Sequence, residues 1–344
     1  MTAALLDQPP GGPPAQAEDA PRVLARGLSK VDRVFHASAR SVGVFVLVLT
    51  GSIGVFLGYQ MIPTIHRYGW SFFTENRWVP QLNVFGISSA VVGTIQVAVM
   101  ALAIAFPLAL MTALFITEYA PRRLQSWFIS LVDLMSAVPS ILFGAWAVAA
   151  LQPHALFIAR WISRWFGWIP IFKVPSAPGG PGAAAFSQHS FALSPFIAAI
   201  AVSMMVIPLA CSVMRNVFSQ APIGEREAAY ALGSTRWGMI RAVVLPFGRR
   251  GIIGGTMLGL GRALGETVAV LLIISLDFGL KVRVLENGTV TISSLIANNF
   301  GDASPAQLSA LLAAGFVLFL MTLAVNTGAA VIISRSRSGE GLDV

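Results

Sequence analysis

Two charged side chains interrupt a long uncharged run. In LGLGRALGETVAV, residues 258–270, Arg262 and Glu266 are the only charges between Gly251 and Ser275. A guanidinium stays charged in any environment and presents a planar set of donors that match an oxyanion. A carboxylate four residues later lies one turn away on the same helical face, where it can pair with that guanidinium. Two readings stand side by side: a buried pair that fixes helix packing, and a contact for a passing anion. Since a buried pair is often no more stable than an apolar replacement, keeping both charges hints at a purpose beyond packing. The glycines of GLGRALG look like a nucleotide loop only superficially, because they follow no strand and open no βαβ unit.

The elements that must position these charges follow from composition. The chain has 344 residues, 56% of them hydrophobic and 11% charged, with a mean hydropathy of +0.74. Soluble domains carry about 25% charged residues, so this is an integral membrane protein. One cysteine, Cys211, excludes a disulfide framework or thiolate cage, and four scattered histidines speak against a metal enzyme. Apolar runs long enough to cross a bilayer occur around 41–62, 86–117, 128–151, 191–214, 251–276 and 306–334, which predicts six spans. Arg262 then lies near mid-bilayer, where exposure to lipid costs at least about 2.5 kcal/mol, so it must face protein or water.

Residues 1–20, rich in Pro, Ala and Gly, read as a disordered tail without the apolar core of a signal peptide, and 21–40 as a basic segment. Most Lys and Arg fall before the first span, in APRRLQ, in 215–250 and in the last residues, 335–344. The positive-inside rule therefore places both termini in the cytoplasm and 152–190 outside. There HALFIARWISRWFGW predicts a helix lying at the membrane surface through Trp161, Trp165 and Trp168, either as an anchor or as a dock for an outside partner. VPSAPGGPGAAAF reads as a flexible connector. Pro107, Pro139 and Pro208 predict kinks in the second, third and fourth spans, with Pro139 beside Ser140 a candidate pore-lining pair. Asp133 and Glu118 read as capping or snorkelling groups, and Arg215 with Asn216 as an anchor for the fourth span. Gly255 and Gly259, and Gly261 and Gly265, each four apart, predict two faces for close helix packing.

The loop APIGEREAAYALGSTRWGMIRAVVLPFGRR, residues 221–250, predicts two short helices with a tight bend. Gly233 can end the first in the left-handed region, Ser234 can cap the second, and Pro246 ends it. Ala228, Ala229 and Leu232 form a small apolar face, suited to a partner or to the membrane surface. Glu227-Ala228-Ala229, Gly233, Val243 and Leu245-Pro246 resemble the EAA signature of ABC-importer permeases, with Val243 where Ile is usual. GLGRALGETVAV resembles the GRALGETMAV stretch of phosphate ABC-importer permeases of PstC type, with Val268 in place of Met. TEYAP (Thr117 to Pro121), SAVPSILFG (Ser136 to Gly144), WIPIF (Trp168 to Phe172) and MVIPL (Met205 to Leu209) extend the likeness over roughly residues 40–334. The sister type, PstA, is usually followed by Ala-Pro after RAxGET.

That resemblance implies an all-α membrane protein with six transmembrane helices in the MetI-like ABC-importer permease fold. It implies a sister permease of PstA type, two ATPase subunits of PstB type, a phosphate-binding protein of PstS type outside, and contact with membrane lipid but not nucleic acid. The 221–248 loop would be the coupling helix that docks on the ATPase, with Glu227 pairing with a basic residue there or capping its own helix. Arg262, Glu266, Thr267, Pro139 and Ser140 would line the substrate path. Glu266 would neutralise Arg262 when the site is empty and accept a proton from phosphate, which sulfate lacks. No Walker A sequence occurs, so ATP and Mg belong to the partner ATPase and this chain binds no cofactor. A permease for sulfate, molybdate or phosphonate would share the EAA loop without GRALGET. A stand-alone ion-coupled transporter would show related halves, and no internal repeat is evident.

Overall fold

The computed structural model describes residues 30–174 and 191–335. The expected tail over 1–20, most of the connector and most of the C-terminal tail lie outside the described residues. By contacts the chain divides into residues 1–53 and 54–344. Helix α1, Lys30–Tyr68, begins in the first unit, where its side chains are exposed, and ends in the second. There Thr64 and Ser309 share a hydrogen bond of 2.8 Å, and Gly54 leaves room for the ring of Phe319.

A short helix α2, Ser71–Thr74, and a two-residue hairpin of β1, Trp78–Val79, and β2, Val84–Phe85, follow. They precede the first well-buried helix, α3, Ser88–Leu114. Its buried face carries Ala90, Gly93, Val97, Ala98, Ala101, Ala105, Ala109 and Ala113, small residues at helical spacing. Such residues let backbones approach closely, which is how helices associate where lipid provides no hydrophobic contrast. The partner is α7, Pro195–Phe218, the most buried of the long helices. Both α3 and α7 begin beside the 274–291 loop: Thr94 Oγ1 accepts from the Ile292 amide, and the Phe196 amide donates to Val284.

Among the described residues, five helices are long and apolar enough to cross a membrane: Val31–Tyr68, Ser88–Tyr119, Ser140–Phe166, Pro195–Phe218 and Pro305–Ser334. The third hydropathy run is divided. Helix α4, Arg122–Ala137, stops at Val138, whose ψ of 129° is extended, and α5, Ser140–Trp146, starts after Pro139. Proline lacks an N–H and pushes the preceding residue out of the helical region, which accounts for the break. Through a π turn at Ala147–Leu151, α5 then continues into α6, Gln152–Phe166. The segment expected to form a separate surface helix is thus continuous with α5 through that π turn, with Trp161 and Trp165 exposed on it.

Beyond α7 come α8, Ile223–Ala231, and α9, Arg236–Met239, as the bend in the sequence predicts. Gly233 has a φ of +80°. The Ser234 amide donates to Ala229 at 3.1 Å and the Gly233 amide to Tyr230 at 2.9 Å, a Schellman closure. The second cap is Thr235 rather than Ser234, its side chain accepting from Gly238 at 3.1 Å. Pro246 does not end this helix. A π turn at Ile240–Val244 leads straight into α10, Leu245–Gly265, and the wider turn relieves the clash a proline ring makes with the carbonyl four residues back. Helix α11, Val268–Ile273, α12, Ile292–Asn299, and α13, Pro305–Arg335, complete the fold.

Candidate functional site

The fifth hydropathy run, which carries the two central charges, is not one helix. Helix α10 ends at Gly265; Glu266 is extended, with φ −67° and ψ 125°, and α11 resumes at Val268. Its other end is fixed by glycines. A Cβ at Gly251 would lie 2.6 Å from Val217, at Gly255 2.9 Å from the Ala210 carbonyl, and at Gly259 2.6 Å from Val206, so α10 rests on α7 through bare backbone. Gly248 faces Phe218 and continues this stripe, although the sequence reading had not included it. Of the second predicted pair, Gly261 sits beside Asn326 of α13, while Gly265 is exposed with no atom of the chain near its Cβ direction.

The break reorients both charges. An i, i+4 pair presupposes a helix through both residues, and this one stops before Glu266. The Glu266 side chain is buried, 8% exposed, and its Oε1 accepts from the Ala269 amide at 3.4 Å, capping α11. Its carbonyl accepts from Ser293 Oγ at 2.7 Å, fastening the break to α12. Thr267 Oγ1 donates to the Gly265 carbonyl at 3.1 Å. Arg262, by contrast, is exposed, and among the described residues no ion pair or hydrogen bond holds it.

A second interrupted helix meets the first. Gly144 of α5 lies against Ala269 of α11, where a Cβ would fall 2.8 Å from the Ala269 Cα. The break at Pro139–Ser140 and the break at Glu266–Thr267 therefore feed two short helices packed on each other. Interrupted helices at membrane depth release backbone groups only where protein or water satisfies them. Asn326, a polar side chain in the last apolar run, faces α10. Its Oδ1 lies 3.6 Å from the Cβ position of Gly261, next to Arg262, and an amide in an apolar run was the available signal.

At the opposite end of α10 lies the loop predicted to dock on a partner. Helix α8 has no fully buried residue. Glu227 and Ala228 are exposed, Ala229, Val243 and Leu245 pack partly against the core, and Pro246 is exposed. Ile223, Tyr230, Leu232 and Trp237 project outward as an apolar surface. Arg226, absent from the sequence reading, is 3.1 Å from the carboxylate of Glu118, which is paired rather than snorkelling. Arg215 reaches Asp133 at 3.7 Å.

Residues 105–338 match the family described as binding-protein-dependent transport system inner membrane component. The PstC 2 phosphate transport system permease protein of Mycobacterium tuberculosis is 37% identical, over 90% of this chain and 93% of its own length. The PstC phosphate transport system permease protein of Pasteurella multocida is 35% identical, over 90% and 94%. A bacterial ABC transporter involved in import of the acidic polysaccharide alginate superposes with a TM-score of 0.51 at 18% identity, covering 88% of this chain and 99% of that one, a likeness of fold. With its apolar helices, its interrupted α10 and α5, and these relatives, the chain is a multi-pass permease subunit and belongs to the family of binding-protein-dependent transport system inner membrane components.

Proposed function

We propose that this chain is the transmembrane permease subunit of an ATP-driven importer of inorganic phosphate, and that Arg262 is its contact with the anion in transit. The observation that carries this reading is an exposed, unpaired guanidinium on a helix otherwise apolar around it. Such a group is tolerable only beside water or protein, and a planar fork of donors suits phosphate oxygens. Asn326 of α13 adds a polar side chain against Gly261 of α10. The breaks at Pro139–Ser140 and Glu266–Thr267 supply backbone groups to the same path. Glu266, turned toward α11, holds the break in register through Oε1, and its second carboxylate oxygen is the one that would accept a proton from phosphate.

Permeases of this family work with an ATPase and a binding protein. For this chain we assign a sister permease of PstA type, two ATPase subunits of PstB type that hold ATP and Mg, and an outer phosphate-binding protein of PstS type. The docking surface is α8 to the π turn, through Glu227, Ala228, Ala229, Gly233, Val243, Leu245 and Pro246. The test is uptake of radiolabelled phosphate into cells lacking their own permease subunit and expressing this chain with its partners, in excess unlabelled sulfate or molybdate. ATP-dependent uptake that resists both competitors and disappears with Arg262→Gln supports the assignment. Strong inhibition by sulfate or molybdate moves the substrate to another oxyanion.

A further inference from the structure

Helix α8 is nearly detached from the core, yet one guanidinium ties it to two long helices at once. Arg226, in its first turn, lies with Nη1 3.1 Å from Glu118 Oε1 and 3.4 Å from Oε2, while Nη2 donates to the Phe218 carbonyl at 2.6 Å. Glu118 sits in the π turn Phe115–Tyr119 that ends the α3 span, and Phe218 is the last residue of α7. The pair is shielded, with the Glu118 side chain 5% and that of Arg226 21% exposed. Beside it the Arg236 guanidinium of α9 lies 5.3 Å over the Tyr119 ring. Beyond α8, Met239, Ile240 and Val244 share a buried cluster with Ala113 and Ile116, so the Glu118–Arg226 pair is the polar tie of α8 itself.

An exposed ion pair holds little, whereas a shielded pair with an added hydrogen bond resists separation, because either partner alone is a buried uncompensated charge. A displacement of α8 is therefore passed to the ends of α3 and α7 instead of being absorbed by bending of the loop. Both helices pack against α10, which carries Arg262 and rests also on α13. We propose that the Glu118–Arg226 pair is a positioning element of energy coupling, carrying movement of the docking helix into the helices that hold the substrate path. This rests on α8 being the ATPase dock.

The experiment uses the assembled complex of both permeases and ATPase in proteoliposomes with binding protein, reading ATP hydrolysis and phosphate uptake together. Glu118→Gln and Arg226→Gln are expected to keep the ATPase bound and hydrolysing while uptake per ATP falls at least about fivefold, within the range of site-to-site couplings. The exchange Glu118→Arg with Arg226→Glu restores part of that ratio, which mere damage to the fold would not allow. If a single variant fails to assemble, the doubly neutral Glu118→Gln, Arg226→Gln carries the test, since it leaves no buried charge unpaired. An unchanged ratio of uptake to hydrolysis in the assembled variants overturns the proposal. Failure of the docking reading is distinguishable, because the ATPase would then stay bound when the exposed α8 surface is altered, as in Leu232→Glu.

Discussion

Arg262 and Glu266 look like one unit in the sequence and act as two in the structure. Among the described residues no partner holds the guanidinium, whereas the carboxylate accepts from the Ala269 amide. Substitutions should therefore separate them. Hydrogen bonds to charged groups contribute about 1.5–3 kcal/mol, so Arg262→Gln should lower phosphate uptake by about tenfold or more with assembly intact, and Arg262→Lys by less. Glu266→Gln keeps an oxygen for the Ala269 amide and so preserves the break. Loss of phosphate preference over sulfate in that variant would assign the carboxylate a proton-accepting role, and an unchanged preference would leave it the capping role alone. Glu266→Ala removes the cap, a loss of about 1 kcal/mol at a helix start, read as a lower thermal midpoint of the purified complex. Arg262 was legible because a charge in an apolar run has few tolerable explanations. The direction of Glu266 was not, since the i, i+4 argument assumes a continuous helix and nothing but tertiary contacts from Ser293 and α5 ends this one.

At the scale of elements, the seam between α10 and α7 is set by what glycines leave out. Gly259→Val would drive a side chain into Val206, so it should sharply reduce folded protein, whereas Gly254, with no atom within 4 Å of its Cβ position, should accept Ala unchanged or with a gain of up to about 1 kcal/mol. Fluorescence-detected size exclusion after heating would rank the two. The loop between α11 and α12 is pinned differently. Lys281 Nζ bonds Asp277 at 2.6 Å and the Gly279 amide adds a second bond at 2.8 Å, and together they hold the Asp277 carboxyl below the usual carboxylate range. A depressed acid contributes its stability above the unfolded value, near 3.9, and loses it as pH falls through the lower folded one. Amide exchange in residues 274–291, corrected for intrinsic rates, should stay slow from neutral pH to about 4 and rise below it, while Asp277→Asn should raise it already at neutral pH. Spacing of glycines and the Pro139 break could be read from sequence, because each rests on one residue's geometry. The passage of a helix through Pro246 could not, since a π turn leaves no compositional mark.

Across the whole molecule, the chain is organised so that its two ends do different work. Helices α3 and α7 both run from the 274–291 loop to the α8 end, and α10 leans on both. Apolar character marked the hydropathy runs but not the breaks within the third and fifth, and the contact between Glu118 and Arg226, 108 residues apart, is one that no local pattern announces. The remaining exposed surface at the α8 end is apolar where soluble contact would favour charge: Leu232 is 87% exposed, with Ile223 and Trp237 beside it. Such residues surrounded by Glu225, Glu227 and Arg236 suit a groove on a partner, where a small central cluster supplies most of the binding energy. Leu232→Glu leaves the buried core untouched, so the chain should still insert and still co-purify with its sister permease. Its ATPase should be lost, because a desolvated unpaired carboxylate at the centre of an interface opposes binding. Retention of the ATPase by Leu232→Glu, with hydrolysis still stimulated by loaded binding protein, would move the dock away from the α8 bend and take the coupling route through Arg226 with it.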